Sequence, residues 1–227
     1  MITPSKQNDS TMKRLLSYLW PFTRKVATDH NGELFITLVN GTKTLNSKNA
    51  NYSFGSLQEI LEVGLSKIDL TSVNSVLLLG LGGGSVISSL RDKFTFDGQI
   101  VAVELDQKVI DIAKHEFLIS SSRNLTIHKA DAFEFVKQRK VQCDLIIVDL
   151  FFNNMVPPQF YSEEFCQNLS TILSKNGSIL FNLGIFEIDN EKREAVVNYF
   201  QTKEEYKTSR YEKVAGTNSL MIAEKSL

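Results

Sequence analysis

The sequence predicts a doubly wound α/β fold, with a mostly parallel seven-stranded sheet, a closing antiparallel hairpin and a small N-terminal β-hairpin module. Three observations carry that expectation. From residue 75 onward, strand-like and helix-like segments alternate. The apolar runs VLLL, IVAVE and LIIVD are continuous rather than alternating, as strands covered on both faces are. The tail breaks the alternation with two strand-like segments, 206–210 and 219–223, around the turn Gly216-Thr217-Asn218.

In chain order, Leu15, Leu16, Leu19 and Trp20 form a short helical stripe that ends at Pro21 and is expected to pack on the body. The run ELFITLV, 33–39, places Leu34, Ile36 and Leu38 on one strand face and Phe35, Thr37 and Val39 on the other. Asn40-Gly41 and TKTLN follow. Asn-Gly between two such runs marks a two-residue turn that needs positive φ at both positions. Leu57, Ile60, Leu61 and Leu65 recur at helical spacing. Strands are then expected at 75–80, 99–104, 124–128, 143–149 and 177–183, and helices at 84–93, 106–117, 131–138, 161–173 and 190–201. Right-handed crossovers make such a series a doubly wound sheet. The division expected is 1–54 for the helix and hairpin module and 55–227 for the doubly wound domain.

Composition sets limits. The 227 residues are 42% hydrophobic and 22% charged, ordinary for a globular protein, and the formal net charge is −1. No excess of positive charge points to nucleic acid or a membrane surface. Cys143 and Cys166 lack metal-ligand spacing and are expected as reduced, buried thiols. His30, His115 and His128 are scattered and read as ordinary polar residues, so no metal is expected. The apolar stretch in 12–20 is short for a leader, meets Pro21 and has no small-residue cleavage site, so a cytoplasmic location is expected.

The chemistry lies at the carboxyl ends of the strands, where open α/β sheets bind ligands. In VLLLGLGGGS the first run breaks into Gly80, Gly82, Gly83 and Gly84. Glycines let the backbone approach a ligand closely. A dinucleotide fingerprint would need glycine where Ser85 stands. Gly80-x-Gly82-x-Gly84 resembles instead motif I of the class I S-adenosylmethionine-dependent methyltransferase fold, which implies one adenosine carrying a sulfonium. Glu104 ends the second run and can accept hydrogen bonds from both ribose hydroxyls. Asp131-Ala132 follows the third strand. Asp131 can accept from an adenine amino group, or cap the helix AFEFVK with Glu134 completing a capping box. Asp106 reads as a helix cap. Asp149 ends LIIVD beside the sulfonium position, where it can orient or deprotonate a nucleophile, or serve only as a loop carboxylate.

With these residues in place, the chain resembles the spermidine synthase-like branch of that superfamily from the hairpin near Glu33 to the strand at Leu183. The glycine loop, Glu104 and Asp106, Asp131-Ala132, Asp149 and the Val156-Pro157-Pro158 loop align with the family pattern. The resemblance implies S-adenosylmethionine or decarboxylated S-adenosylmethionine as cofactor, a small-molecule substrate and association as a homodimer. The departures concern the acceptor. Where the family reads Asp-x-x-Asp-Pro, this chain reads Asp149-Leu-Phe-Phe-Asn, with Phe151 and Phe152 where the second carboxylate belongs. Gly83 replaces the loop aspartate that lies near the amine of the decarboxylated cofactor. Tyr52-Ser53-Phe54 meets the family's Tyr-Gln-Glu segment only in part. A polyamine needs paired carboxylates to be desolvated. The expectation is therefore methyl transfer from S-adenosylmethionine, with Asp149 acting on the acceptor and Tyr52, Phe151 and Phe152 lining its pocket. Aminopropyl transfer and a non-catalytic nucleoside-binding protein are the alternatives.

Overall fold

The structure is a computed structural model that describes residues 11–47, 51–121, 124–139, 141–152 and 155–226; the side chains of Asn51, Tyr52 and Ser56 lie outside that description. The first sheet is antiparallel, in the order β1 (Phe22–Ala27), β2 (Glu33–Val39), β3 (Thr42–Ser47), β4 (Asn51–Ser53). The β2–β3 hairpin forms around Asn40 and Gly41, with φ of 49° and 72°, the signs a two-residue turn of this hand requires. Two further strands extend the expected hairpin into a sheet. The alternation in β2 sets its buried face: Leu34 and Ile36 pack with Leu45 of β3 against Val109 and Ile112.

The second sheet has seven strands: β5 (Ser75–Leu79), β6 (Gln99–Glu104), β7 (Leu125–Lys129), β8 (Cys143–Val148), β9 (Leu173–Ile185), β10 (Tyr206–Val214) and β11 (Asn218–Lys225). Their order is β10-β11-β9-β8-β5-β6-β7. The pairs among β5 to β9 are parallel, while β11 pairs antiparallel with both β9 and β10. The apolar runs are continuous because both faces are covered. Leu77, Leu79, Ile146 and Val148 pack toward α5 (Ala132–Gln138), α6 (Glu163–Ile172) and α7 (Asn190–Gln201). Val76, Leu78, Leu145 and Ile147 pack toward α2 (Ser56–Leu65), α3 (Ser85–Ser88) and α4 (Gln107–Glu116). The helix expected over 84–93 is α3 continued by one wider turn, Ser89–Lys93. Strand β9 is longer than expected, since the chain pairs at Leu173 as soon as α6 ends. Cys143 and Cys166 are buried free thiols. No helix among the described residues is long and apolar enough to cross a membrane.

The N-terminal stripe departs from expectation. Helix α1 (Thr11–Leu16) ends before Pro21, and Leu15, Leu19 and Trp20 are 66%, 83% and 72% exposed. Polar bonds, not the stripe, attach this segment. Ser17 accepts from Asn40 N and, through Oγ, from Gly41 N, while Arg14 donates to Gly41 O. These bonds tie one face to the β2–β3 turn and turn the leucines outward.

Asp106 joins the two sheets. Its Oδ1 caps α4 by accepting from Lys108 N at 2.9 Å, and its Oδ2 accepts from His30 N at 2.8 Å and Asn31 Nδ2 at 3.4 Å in the β1–β2 turn. Burial opposes its charge, but these bonds outweigh burial and hold the carboxyl below its ordinary range. Asp106→Ala is expected to lower stability by about 3 kcal/mol at pH 7, from lost charge-assisted bonds and a lost cap. A lowered folded pKa contributes stability above the unfolded value of about 4 and loses it as pH falls through the folded value. The mutational difference in urea denaturation should therefore shrink below pH 4.

Candidate functional site

Strand β5 is central to the site. At its end Gly80 N donates to Val103 O at 2.9 Å, and Asp149 N donates to Leu79 O at 2.8 Å. The ends of β6 and β8 are thus drawn to either side of the Leu79–Gly80 peptide. Gly80 has φ of 94°, and a Cβ there would lie 2.0 Å from the Asp149 carbonyl oxygen. Only glycine allows that approach.

A cavity of about 340 Å³ opens over these strand ends. Gly80, Gly82, Glu104, Asp131, Ala132, Asp149, Phe151 and Phe152 all line it. Gly84 does not; it starts α3, where its N–H closes the loop turn onto Leu81 O at 2.9 Å. Tyr52 is named among the expected pocket residues, and its side chain lies outside the described residues.

Glu104 is buried beneath the glycine loop. Its Oε2 accepts from Leu81 N at 3.2 Å and Gly82 N at 3.3 Å, and its Oε1 from Asp106 N at 3.1 Å. Burial nonetheless pushes its pKa up, with the Asp106 charge adding to that push against the three N–H donors. Asp131 caps α5 through Oδ1, which accepts from Phe133 N at 2.8 Å and Glu134 N at 3.1 Å. Its Oδ2 has no donor among the described residues. Glu134 does not close a capping box; its Oε2 accepts from Gln138 Nε2 at 3.5 Å instead.

Asp149 is half-buried, and its Oδ1 accepts from Asn182 Nδ2 at 2.9 Å. Desolvation raises its pKa to about 7, with the Asn182 bond working against the rise and the Glu104 charge adding to it. Leu105, Leu150, Phe151, Phe152, Pro157 and Phe160 make the walls nearby apolar. Phe152 is held by a two-bond bridge to Met155, with N–H···O distances of 2.8 and 3.1 Å.

Several lining residues escape a reading of the sequence. Asn182 contacts Asp149, and Thr217 and Asn218 join the lining from the start of β11. The available signal was one polar residue inside the apolar run SILFNLGIF. His30, expected as an ordinary polar residue, lines the cavity with Asn31. Nothing in the sequence around His30 shows that Asp106 draws its turn to this place.

The sequence model of the spermine/spermidine synthase domain matches residues 57–212. A polyamine aminopropyltransferase of Vibrio vulnificus is 31% identical over 110 residues, covering 47% of this chain and 36% of that protein. An eEF1A lysine and N-terminal methyltransferase of Xenopus laevis is 30% identical over 119 residues, covering 48% of this chain and 17% of that protein. The chain thus matches well under half the length of either relative. Human methyltransferase-like protein 13, solved in complex with SAH, superposes with a TM-score of 0.64 at 21% identity, covering 77% of this chain and 83% of that one.

The raised pKa of Asp149 has a measurable consequence. A carboxyl whose folded pKa exceeds its unfolded value contributes most stability below the unfolded pKa of about 4 and loses that contribution as pH rises through about 7. Asp149→Asn mimics the protonated form. It is expected to stabilise the free protein by about 2 kcal/mol at pH 8 and by almost nothing at pH 4. Chemical denaturation at the two pH values measures the difference; equal effects at both would refute the raised pKa.

Proposed function

The chain belongs to the spermine/spermidine synthase domain family, and on that premise we propose that its cavity binds S-adenosylmethionine and that the protein transfers the methyl group to a small acceptor with an apolar body. The observation that carries this reading is the pairing of two carboxylates, Glu104 and Asp149, with a glycine loop and an apolar wall beside Asp149 in one cavity. The residues present fit the cofactor. Glu104 Oε1 accepts from one N–H only and keeps a lone pair for a ribose hydroxyl, and Asp131 Oδ2 has no donor among the described residues and can accept from the adenine amino group. Gly80 and Gly82 leave backbone, not side chain, against the ligand. Bound there, S-adenosylmethionine supplies an electrophilic methyl carbon on a positively charged sulfur.

The chain's own work is then positioning and proton transfer. Asp149 supplies a negative charge near the sulfonium and accepts the acceptor's proton. A base titrating near the working pH combines availability with driving force. Leu150, Phe151, Phe152 and Phe160 exclude water around it. Holding an acceptor in line with the breaking S–C bond accounts for much of the rate in such a transfer.

Two features favour methyl over aminopropyl transfer. Phe152 occupies the place of the second polyamine-binding carboxylate, and Phe152 and Phe151 line the cavity. At residue 83 a Cβ would lie 3.0 Å from Ser53 Cβ and Oγ and 3.2 Å from Phe54 Cε2. The side chains of Ser53 and Phe54 would therefore have to give way to any side chain at residue 83, including a carboxylate for the decarboxylated cofactor's amine. Aminopropyl transfer stays as the second reading because Asp149 is retained and the Vibrio vulnificus relative carries that activity in its name.

S-adenosylmethionine, S-adenosylhomocysteine and methylthioadenosine are each expected to raise the melting temperature by roughly 5–10 °C at 100 times their dissociation constants, and NAD by nothing. Glu104→Ala should remove the rise without unfolding the protein. A shift with NAD alone would overturn the cofactor.

The reaction is tested separately. S-adenosylmethionine should bind at least as tightly as its decarboxylated form in calorimetric titration, and putrescine should yield little methylthioadenosine. Rapid methylthioadenosine release from the decarboxylated cofactor would establish the polyamine reading instead. With whichever acceptor is turned over, Asp149→Asn should cost at least about 10²-fold in rate while sparing S-adenosylhomocysteine binding.

A further inference from the structure

Asn182 is a fully buried carboxamide among Leu180, Phe181 and Leu183, all core residues of β9. Its Oδ1 accepts from Gly184 N at 3.3 Å and from Asn218 Nδ2 at 3.0 Å. Both partners are N–H donors, and the backbone N–H of Gly184 cannot accept. A reversed amide would set two donors face to face, so the network itself assigns the orientation. The remaining group, Nδ2–H, meets Asp149 Oδ1 at 2.9 Å.

The backbone makes this arrangement possible. In the β9–β11 pairing, Ser219 stands opposite Gly184 and Leu220 opposite Asn182, which leaves Leu183 as an extra residue. Such a bulge bends the strand and re-aims a side chain. Here it folds the Gly184 N–H back onto Asn182 and sets Asn218, at the start of β11, against the same oxygen. One oxygen of Asp149 is thereby gripped, while Oδ2 has no donor among the described residues. A donor on one carboxylate oxygen favours the ionised form.

We propose that Asn182, oriented by Asn218 and the Gly184 N–H, is a positioning residue that favours the ionised form of the Asp149 carboxyl against its burial and leaves its Oδ2 for the cavity. The proposal rests on the reading of Asp149 as the group that faces the sulfonium and the acceptor. The other groups around Asp149 do not supply this hold. Burial is the main cause of the rise at Asp149, and Glu104, at the end of β6, adds to it by repelling the charge. Asp131, after β7, is a second anion on the cavity wall, and His30 lines the cavity from the β1–β2 turn without a bond to Asp149. Gln159, Thr217 and Asn218, from the segments beside β9, are neutral. Asn182 is the one side-chain donor to Asp149 among the described residues.

A bulge-closing role alone would predict that losing Asn182 harms all ligands alike. S-adenosylmethionine and S-adenosylhomocysteine separate the two cases, because they share the nucleoside and the amino acid but only the first carries the sulfonium charge. In calorimetric titrations at pH 7, close to the Asp149 midpoint, Asn182→Leu is expected to weaken S-adenosylmethionine about fivefold if that midpoint rises by one unit, and to leave S-adenosylhomocysteine within about twofold. The lost affinity should return at pH 8.5. Equal losses for both ligands, or a loss for neither, would overturn the proposal. Asn218→Ala, at the edge of the cavity, should shift the same ratio in the same direction by less, and it decides the matter if the Asn182 variant does not fold. If the unmodified protein binds neither nucleoside, the cofactor reading fails on its own. The role of Asn182 is then read from the carboxyl ¹³C titration of Asp149, assigned with Asp149→Asn. A midpoint raised in Asn182→Leu supports the hold, and an unchanged one refutes it.

Discussion

The close approach of Gly80 to the backbone of Asp149 governs the site. A side chain at residue 80 would drive its Cβ into the Asp149 carbonyl, 2.0 Å away. Without one, the end of β5 bonds to β6 through Gly80 N and to β8 through Leu79 O. The loop then turns over Glu104, whose carboxylate collects the N–H groups of Leu81 and Gly82. The Glu104 carboxylate is therefore held by backbone N–H groups, while the Asp149 carboxylate, whose own backbone is fixed to β5, is held by the Asn182 side chain.

The electrostatics follow from that geometry. Glu104 and Asp149 share a cavity with no lysine or arginine among its described lining residues. Both carboxyls are pushed toward the neutral form, chiefly by burial. Folding alone does not favour such an arrangement, because an isolated buried charge is costly. A positively charged ligand would relieve the cost at Asp149, and a ligand's hydroxyl groups would relieve it at Glu104. Strained charge is a recurrent mark of functional sites. In the proposed function the two carboxyls serve different parts of one ligand.

Most of this fold was legible because its signals are local. The continuous apolar runs of β5, β6 and β8, the glycine loop and the Asn40-Gly41 turn each report a backbone requirement within a few residues. The cavity-lining carboxylates Glu104 and Asp149 were legible for a related reason, since they stand where apolar runs end. What stayed hidden depends on distant partners. The Asn182–Asn218 bond joins residues 36 positions apart through a bulge that no local pattern announces. His30 and Asn31 reach the cavity because Asp106, 76 and 75 positions away, binds their turn. The N-terminal stripe misled because helical spacing reports a shared face and not what that face meets. Leu15 and Leu19 do share one side, and it faces outward.

Specificity in this framework comes from what the acceptor side lacks. A polyamine must shed water from several charges, and only closely paired carboxylates repay that loss. With Phe152 in the second carboxylate's place, a multiply charged acceptor would leave at least one ammonium desolvated against an aromatic wall. Cation–π attraction offsets only part of such a loss. An acceptor with one ionisable nitrogen or hydroxyl meets a different balance. Its single polar group reaches Asp149, and its apolar body gains by covering Leu150, Phe151, Phe152 and Phe160. Replacing one carboxylate by one phenylalanine thus changes both terms together, raising the cost for the charged acceptor and the gain for the apolar one. The fold and the cofactor half of the cavity need not change at all for the reaction to pass from one chemistry to the other.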